Sequence, residues 1–460
     1  MQKISEDSYL SEGRAELENN SRAHTFNGIT EAIMETTITT DNLLERVLES
    51  DNLNKAYLQV YRNKGSHGVD EMQVESLKDY LRLHREVLIT ELREGKYLPN
   101  PVRRVEIPKE PGKTRPLGIP TVVDRVIQQA ISQVLSPIYE EQFSNYSFGF
   151  RPNKGAHTAI IACREMITSG YHYAIDMDME KFFDTVNHSK LIEILSRTIK
   201  DGRLVSLIHK YLRAGVVVEA KFQETETGVP QGGPLSPLLS NIMLNELDHE
   251  LTRRGHKFVR YADDIVILCK SKRGATRTMN STIRFIEDTL FLKVNRDKTE
   301  VVRYNQIKFL GYSFYKTKGA VRFRLSKKTQ RKVKRSLEGI VARKNSIGYD
   351  EIKSKLKSYI QGWVTYYRLA DMKSFLKQVD EWLRRRIRMV IWKCWKRVRT
   401  KMKNLMKLGV SKNKAYEYAN TRKKYWRISK SPILQTTITN KNLEKAGYIT
   451  LSDYYQKVKS

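Results

Sequence analysis

The sequence predicts an α+β domain followed by a strongly basic domain built of long helices. Strand-like runs alternate with helical patterns up to Tyr315, and amphipathic helical periodicity dominates after it. The positive charge is concentrated in the second region, because residues 316–430 carry 36 basic and 7 acidic residues while the whole chain has a net charge of +32. The expected organisation is an acidic, disordered tail (1–40), an α+β domain (41–315), a helical domain (316–400) and a small basic C-terminal segment (401–460).

The bulk composition is that of a folded, water-soluble protein. Of the 460 residues, 40% are hydrophobic and 29% are charged, and no apolar run reaches the length of about 18 residues that a membrane span needs. The N-terminus lacks the basic-then-apolar pattern of a signal peptide. Three separated cysteines, Cys163, Cys269 and Cys394, suggest neither disulfides nor a structural zinc. We therefore expect a cytoplasmic protein with no membrane contact.

The elements of the α+β domain can be predicted in chain order. From about Asp41 a helix is expected, because Leu43, Leu44, Val47, Leu48 and Leu53 fall on one face. The remaining predictions are a basic loop at 63–70, a hairpin over Arg103–Val123 turning at Pro111-Gly112, a helix over Asp124–Ile138, a strand over Tyr173–Asp178, a helix from about His188, and two short strands within Phe258–Leu268.

The basic region combines cations with large aromatic side chains. Its clearest helix puts apolar residues on one face and places Arg384, Arg385 and Arg388 largely off that face. A solvated basic tail would explain the charge, but it would not explain the aromatics, which are Trp363, Tyr366, Tyr367, Trp382, Trp392, Trp395 and Trp426. A folded module that neutralises nucleic-acid phosphates, with some aromatics in its core, fits both observations.

A pair of acidic residues stands in a predicted turn between two apolar strands. Asp263 and Asp264 lie between Phe258-Val259 and residues 265–268. Adjacent carboxylates repel one another, and a hard cation such as Mg²⁺ would compensate for that repulsion. By itself, such a pair is more often an exposed hairpin turn that has no ligand.

A second acidic strand end favours the metal interpretation. Residues 176–184 place Asp176 and Asp178 where another strand is predicted to end. Two carboxylate sites brought together would form a cage for two metal ions about 3.5–4 Å apart, which is the arrangement used in two-metal phosphoryl transfer. Such transfer depends on positioning and charge neutralisation more than on a protein nucleophile.

At this point the chain resembles the group II intron-encoded reverse transcriptases, from about Asn52 to the C-terminus. Seven blocks of that family occur in the right order, namely residues 115–120 (RPLGIP), 147–152 (SFGFRP), 178–184, 228–237 (GVPQGGPLSP), 261–264 (YADD), 295–299 and 309–312 (FLGY). The resemblance implies a right-hand polymerase, with α+β fingers and palm followed by an α-helical thumb, that copies RNA into DNA using two Mg²⁺ ions.

The resemblance also assigns residues to the expected site. Asp178, Asp263 and Asp264 match the metal carboxylates, the carbonyl of Met179 is a further expected ligand, and Asp176 is the alternative to Asp178. Phe183 matches the ring that excludes a 2′-hydroxyl, with Phe182 as the expected core neighbour. Other expected nucleotide contacts are Lys109, Arg115, Gln231 and Lys298. The alternative for these last cations is an ordinary solvated surface role.

The features outside the polymerase blocks resemble those of intron maturases. Residues 52–70 resemble the block before the fingers, and residues 356–367 resemble the maturase-specific segment. This implies binding of the parent group II intron RNA through Lys64, Arg384, Arg385 and Arg388. The other implied partners are an RNA template with a DNA or RNA primer, deoxynucleoside triphosphates and target DNA, which the basic segment 401–460 is expected to bind.

Residues 431–460 hold no cysteine or histidine, so a compact class without the metal-bound endonuclease is expected. The alternatives are a domesticated or defence-associated reverse transcriptase without an intron and, from another class, a non-catalytic RNA-binding protein.

Overall fold

A computed structural model of the protein describes residues 40–110, 113–342 and 348–459, without the side chains of residues 109, 110 and 113. The described chain forms two compact units that divide between Leu310 and Gly311. Almost all of the tail expected at residues 1–40 lies outside the described residues. No helix in the described part of the chain is long and apolar enough to cross a membrane.

The first unit mixes helices and strands, as the sequence predicts. Its elements are α1 (Leu43–Leu48), α2 (Ser50–Asn63), α3 (Leu77–Arg93), β1 (Val102–Glu110), β2 (Lys113–Ile119), α4 (Val122–Glu140), α5 (Ala156–Thr168), β3 (Tyr173–Met177), α6 (Phe182–Thr185), α7 (His188–Thr198), α8 (Gly202–Arg213), β4 (Val216–Val218), β5 (Lys221–Gln223), α9 (Ser236–Arg253), β6 (Lys257–Tyr261), β7 (Asp264–Cys269), α10 (Lys272–Arg284) and β8 (Glu300–Arg303).

The helix predicted from Asp41 forms, but it is interrupted. Leu43, Leu44, Val47 and Leu48 are buried as expected. Glu49 takes a ψ of 136°, which is an extended value, so the helix ends there and α2 begins in a new direction. The two strands of the predicted hairpin are confirmed as β1 and β2, which pair antiparallel, and the turn expected at Pro111-Gly112 lies outside the described residues.

A four-stranded antiparallel sheet in the order β6-β7-β3-β8 forms the centre of the first unit. On one face, Ile175, Met177, Ile265 and Ile267 belong to the large core that also contains residues of α4 and α9. Helix α5 packs against β6. Because the sheet packs against apolar residues in this way, the register of its strands is fixed. The loops at the strand ends therefore start from rigid elements.

The second unit opens with a hairpin that the sequence reasoning missed. Helices were expected directly after Tyr315, but β9 and β10 come first and pair antiparallel. The turn between them uses Lys318 and Gly319, both with positive φ, and alternate residues such as Phe314 and Phe323 are buried. The elements of this unit are β9 (Tyr312–Thr317), β10 (Ala320–Leu325), α11 (Lys327–Ile340), α12 (Tyr349–Tyr366), α13 (Lys373–Cys394), α14 (Val398–Lys407), α15 (Lys412–Ala419), α16 (Tyr425–Ile428), α17 (Pro432–Thr437), α18 (Asn440–Lys445) and α19 (Leu451–Lys459).

The end of the chain packs back onto the long helices. Helix α19 contacts α12 and α13. The buried carboxylate of Asp380 accepts hydrogen bonds from the backbone N–H groups of Leu451 (2.8 Å) and Ser452 (2.9 Å). These are N–H groups of the first turn of α19, which have no partner within their own helix. Residues from 401 onward therefore belong to the same compact unit as the helices before them.

Candidate active site

The acidic residues of the first unit lie at one end of the central sheet. Strand β3 pairs with β7 so that Asp176 is opposite Val266 and Met177 is opposite Ile265. The pairing ends at Met177 and Ile265, so Asp178, which follows Met177, and Asp264, which precedes Ile265, lie at the same end of these two strands. Strand pairing therefore brings two carboxylates that are 86 positions apart in the sequence to the same edge.

The turn between β6 and β7 presents its aspartates outward. Ile265–Cys269 are buried, whereas Asp264 is exposed and Asp263 is half-buried. Ala262 has a φ of +54°, in the left-handed region, so the chain reverses sharply between the two strands. Because the flanking strands are buried and the turn is tight, both carboxylates are held at the surface of the sheet edge.

The backbone and side chain of Asp178 are held by residues of the segment before β8. Its carbonyl accepts a hydrogen bond from the N–H of Asn295 (2.9 Å), and its own N–H donates to Oγ1 of Thr299 (3.3 Å). The Nζ atom of Lys298 lies 3.0 Å from its Oδ2. Lys298 was expected near the departing pyrophosphate, and here it is paired with the carboxylate of Asp178.

Asp176 and Asp178 lie in different environments. The pKa of Asp176 is raised to about 6, mainly by burial and also by the neighbouring carboxylates of Glu300 and Asp178, against a lowering by Lys308. The side chain of Asp178 is 39% exposed. An exposed carboxylate can exchange a protein cation for a metal ion more readily than an enclosed one, so Asp178 is the better candidate ligand.

The donor chemistry fits a divalent cation shared with a substrate. In the described residues no three His, Cys, Asp or Glu side chains are close enough to hold a metal ion by themselves. Mg²⁺, however, is commonly held by only one or two carboxylates and takes its remaining oxygens from water and phosphate. Asp178 and Asp264 are two such donors at the ends of adjacent strands, and Asp263 lies beside them.

A small cavity of about 110 Å³ is lined by Phe183 and Asp184 together with Gly228 and Gln231, and not by Asp178, Asp263 or Asp264. Phe183 is half-buried, whereas Phe182 is 2% exposed and belongs to the core. The two rings meet edge to face, with centroids 5.3 Å apart. Phe182 is thus the core residue, as expected from the sequence, whereas Phe183 packs partly against the same core and its contact with a ligand stays a prediction.

Two of the expected nucleotide contacts touch each other. Nε of Arg115, on β2, donates to Oε1 of Gln231 at 2.8 Å. The backbone carbonyl of Gln231 also accepts from the N–H of Gly118 (2.7 Å), so the loop that carries Gln231 is fastened to β2. The side chain of Lys109 lies outside the described residues.

Comparison with known proteins gives two family matches in this chain. Residues 107–314 match the model described as reverse transcriptase (RNA-dependent DNA polymerase), and residues 330–409 match the group II intron, maturase-specific domain. Protein YkfC of Escherichia coli (strain K12) is 34% identical over 311 residues, which is 59% of this chain and 82% of that protein. The chain belongs to the group II intron-encoded reverse transcriptases.

Two further relatives are longer than the region they share with this reverse transcriptase. The group II intron-encoded protein LtrA of Lactococcus lactis subsp. cremoris is 29% identical over 378 residues, covering 66% of this chain and 62% of LtrA. The putative COX1/OXI3 intron 2 protein of Saccharomyces cerevisiae is 30% identical over 362 residues, covering 59% of this chain and 42% of that protein. The chain therefore spans less than two thirds of either relative.

The arginines expected to bind RNA in the maturase-specific domain are largely engaged within the protein. Arg388 is only 8% exposed, and it donates to the carbonyl of Ile438 (2.7 Å) and to Oδ1 of Asn440 (2.8 Å). Arg385 stacks on the ring of Trp426 at 3.8 Å. Arg384 is half-buried. The expectation for Arg388 does not fit this structure, because its guanidinium supports the fold instead of facing solvent.

Helix α11 offers exposed cations that the sequence reasoning did not single out. Thr329, Val333 and Leu337 form its buried stripe. The exposed positions between them carry Lys327, Lys328, Arg331, Lys332, Lys334 and Arg335. The sequence does indicate this basic face, since the three residues of the buried stripe leave all the cations of the helix on its solvent side. The pattern is less conspicuous than the arginine cluster at residues 384–388.

Lys64 lies in an exposed loop whose backbone carbonyls accept hydrogen bonds from two arginines. Its carbonyl accepts from Nη1 of Arg125 (3.2 Å), and Nη2 of Arg125 donates to the carbonyl of Ser66 (2.8 Å). Arg103 donates to the carbonyl of His67. The loop is thus ordered by these arginines, and the ammonium of Lys64 is left at the surface.

Proposed function

We propose that this reverse transcriptase copies RNA into DNA by two-metal nucleotidyl transfer, with Asp178, Asp263 and Asp264 as the metal carboxylates. The observation that carries the proposal is the pairing of β3 with β7, which ends with Met177 opposite Ile265, the residues next to Asp178 and Asp264. The substrates would be deoxynucleoside triphosphates and an RNA template bearing a DNA or RNA primer.

The metal ions would be two Mg²⁺, since carboxylate and phosphate oxygens suit that ion and reverse transcriptases as a family use divalent metals. Asp178, Asp263 and Asp264 would hold them, with the backbone carbonyl of Met179 as a further oxygen donor. Bound there, the ions would neutralise charge on the attacking and leaving oxygens of the displacement. The carboxylates themselves would act as fixed ligands and not as nucleophiles.

The remaining side chains would select and orient the nucleotide. The ring of Phe183 would occupy the space that a 2′-hydroxyl needs, which favours deoxynucleotides. Arg115, linked to Gln231, would present a flat guanidinium to the incoming base, and Lys109 would meet the triphosphate. Lys298 already lies beside Asp178, so a metal bound by that carboxylate would release its ammonium toward the phosphates.

We also propose that the second unit binds the parent group II intron RNA, promotes its splicing and supports its mobility into target DNA. The excess of 29 positive charges between residues 316 and 430 supports this, because polymerisation alone does not require it. The exposed cations of α11 are the best-placed phosphate contacts, together with Lys64 of the first unit. Arg388 is excluded, and Arg384 and Arg385 are secondary candidates.

The test is the double substitution Asp263→Ala/Asp264→Ala, with Asp288→Ala as the matched control. Asp288 is an exposed carboxylate of the same unit, in the π-helical turn Phe285–Thr289. Primer extension should fall below a tenth of the wild-type rate in the double variant and stay near wild type in the control, because only the former loses metal ligands. Binding of intron RNA should persist in both proteins.

The same double variant separates the two activities. Splicing chemistry belongs to the intron RNA, so the inactive polymerase should still accelerate splicing of its own intron at low magnesium concentration. Extension above a tenth of the wild-type rate would refute the carboxylate assignment. Loss of splicing assistance together with loss of extension, in a protein that still binds the RNA, would refute their independence.

A further inference from the structure

A fully buried polar network lies behind the turn that carries Asp263 and Asp264. Arg260, the fourth residue of β6, and Asp248, on α9, are both completely buried. Nε of Arg260 lies 2.8 Å from Oδ1 of Asp248, and Nη2 lies 2.5 Å from Oδ2, which makes a two-pronged ion pair. The remaining guanidinium nitrogen is therefore available to face the turn.

That remaining nitrogen holds the backbone of the turn. Nη1 of Arg260 donates to the carbonyl of Ala262 (3.1 Å) and to Oδ1 of Asn241 (3.0 Å). Ala262 is the residue with positive φ, a conformation in which a non-glycine residue is strained by about 1 kcal/mol or more. A hydrogen bond from a buried guanidinium to this carbonyl stabilises the strained conformation.

The segment 146–149 closes the network from the other side. The N–H of Arg260 donates to the carbonyl of Tyr146, and the N–H of Phe148 donates to the carbonyl of Arg260, both at 2.9 Å. Nδ2 of Asn241 donates to the carbonyl of Gly149 (2.8 Å). A Cβ at Gly149 would lie 2.4 Å from the backbone nitrogen of Ala262, so the two backbones are in direct contact.

The ion pair is not needed for stability alone. Replacing a buried ion pair by apolar residues of similar volume is often neutral or stabilising, because desolvation offsets the attraction between the charges. What an apolar pair cannot do is donate to the Ala262 carbonyl and to Asn241 at the same time. The chemistry of the network thus points to control of the turn geometry.

We propose that Arg260, Asp248 and Asn241 are positioning residues that fix the turn at residues 261–264, so that Asp263 and Asp264 are preorganised to bind metal. This inference rests on the proposed function, in which those two aspartates are metal ligands. The network touches neither metal nor substrate; it acts through the backbone of Ala262.

Two variants of different kinds test the proposal. Arg260→Met/Asp248→Leu removes the hydrogen bond to Ala262 without leaving an unpaired buried charge. Gly149→Ala displaces the turn from the opposite side and leaves the ion pair intact. The matched controls are Arg197→Met/Glu246→Leu, a surface ion pair that also uses α9, and Gly202→Ala, where an added Cβ meets nothing within 4 Å.

The readouts are hydrogen exchange of the amides at residues 261–264 in metal-free protein, Mn²⁺ binding followed by electron paramagnetic resonance, and the single-turnover extension rate. Both network variants should exchange faster at the turn, bind Mn²⁺ more weakly by about 10–100-fold and extend more slowly by a similar factor, as is usual when residues that support metal ligands are replaced. Primer–template affinity should stay within about twofold of wild type, and both controls should behave as wild type.

The possible outcomes distinguish failure of the positioning role from failure of the proposed metal-binding function. If Arg260→Met/Asp248→Leu does not fold, Gly149→Ala decides alone. If Asp264→Ala abolishes Mn²⁺ binding and extension while the folded network variants match wild type in exchange, Mn²⁺ affinity and rate, the positioning role is overturned and the metal role stands. If Asp264→Ala retains both metal binding and extension, the proposed function fails and the positioning role fails with it.

Discussion

Replacing Arg388 by alanine should destabilise the second unit and leave its RNA surface intact. The substitution removes a buried donor from the carbonyl of Ile438 (2.7 Å) and a partly buried one from Oδ1 of Asn440 (2.8 Å). Burial and the nearby Arg384 lower the pKa of the Arg388 guanidinium, which shows how enclosed this group is. The carbonyl of Ile438 would be left without its donor.

The expected cost is about 2.5–4 kcal/mol, from a buried hydrogen bond to a charged group at about 1.5–3 kcal/mol and a partly exposed one at about 1 kcal/mol. For a unit of this size that corresponds to a fall of about 5–15 °C in the unfolding midpoint. The loss is local at first, because Ile438 and Asn440 lie on either side of the start of α18. Residues 437–445 should therefore show the largest increase in hydrogen exchange.

Tryptophan fluorescence provides the assay without further labelling. All five tryptophans lie between residues 363 and 426, so the thermal transition that they report belongs to the second unit. Lys377→Ala is the control, because Lys377 is an exposed cation on the same helix, α13. An unchanged midpoint for Arg388→Ala, together with weaker binding of intron RNA, would refute the structural role and restore the RNA contact expected from the sequence.

Two further substitutions test the nucleotide cavity and the basic helix. Phe183→Val should raise ribonucleotide incorporation about tenfold or more in single-nucleotide extension, because space opens beside the sugar. The control Phe182→Val, in the core, should lower stability instead. Equal discrimination by wild type and Phe183→Val would show that Phe183 only packs against its neighbours. Arg331→Ala/Lys332→Ala/Arg335→Ala should weaken intron RNA binding and reduce the log–log salt slope by about 0.7–0.9 for each RNA phosphate that the variant no longer neutralises. An unchanged slope would identify α11 as a merely solvated face.

The sequence by itself determined that acidic residues stand at the ends of the central strands. Carboxylates at 178, 263 and 264 follow or precede apolar runs that can only be buried strands, so their position at strand ends was predictable from alternation and turn residues. The same holds for the division between Phe182 and Phe183, and for the helix at α4. In each case the local sequence pattern agrees with the tertiary environment, because the spacing of apolar residues directly indicates which face of the strand or helix is buried.

Tertiary structure alone decided which distant groups meet. Arg260 and Asp248 are twelve residues apart on different elements, and nothing local marks them as partners. In the sequence, Arg388 looked like a solvent-facing cation on an amphipathic helix. It is buried by residues 438–440, and the apolar periodicity of α13 alone contains no information about those residues. The hairpin β9–β10 was missed because of the dense charge around it, although the aromatic residues Tyr312 and Phe314 alternate with Ser313 in the sequence. The periodicity of a sequence shows which face of a helix or strand is buried, but it does not show which other element packs against that face. These outcomes depend on that second element.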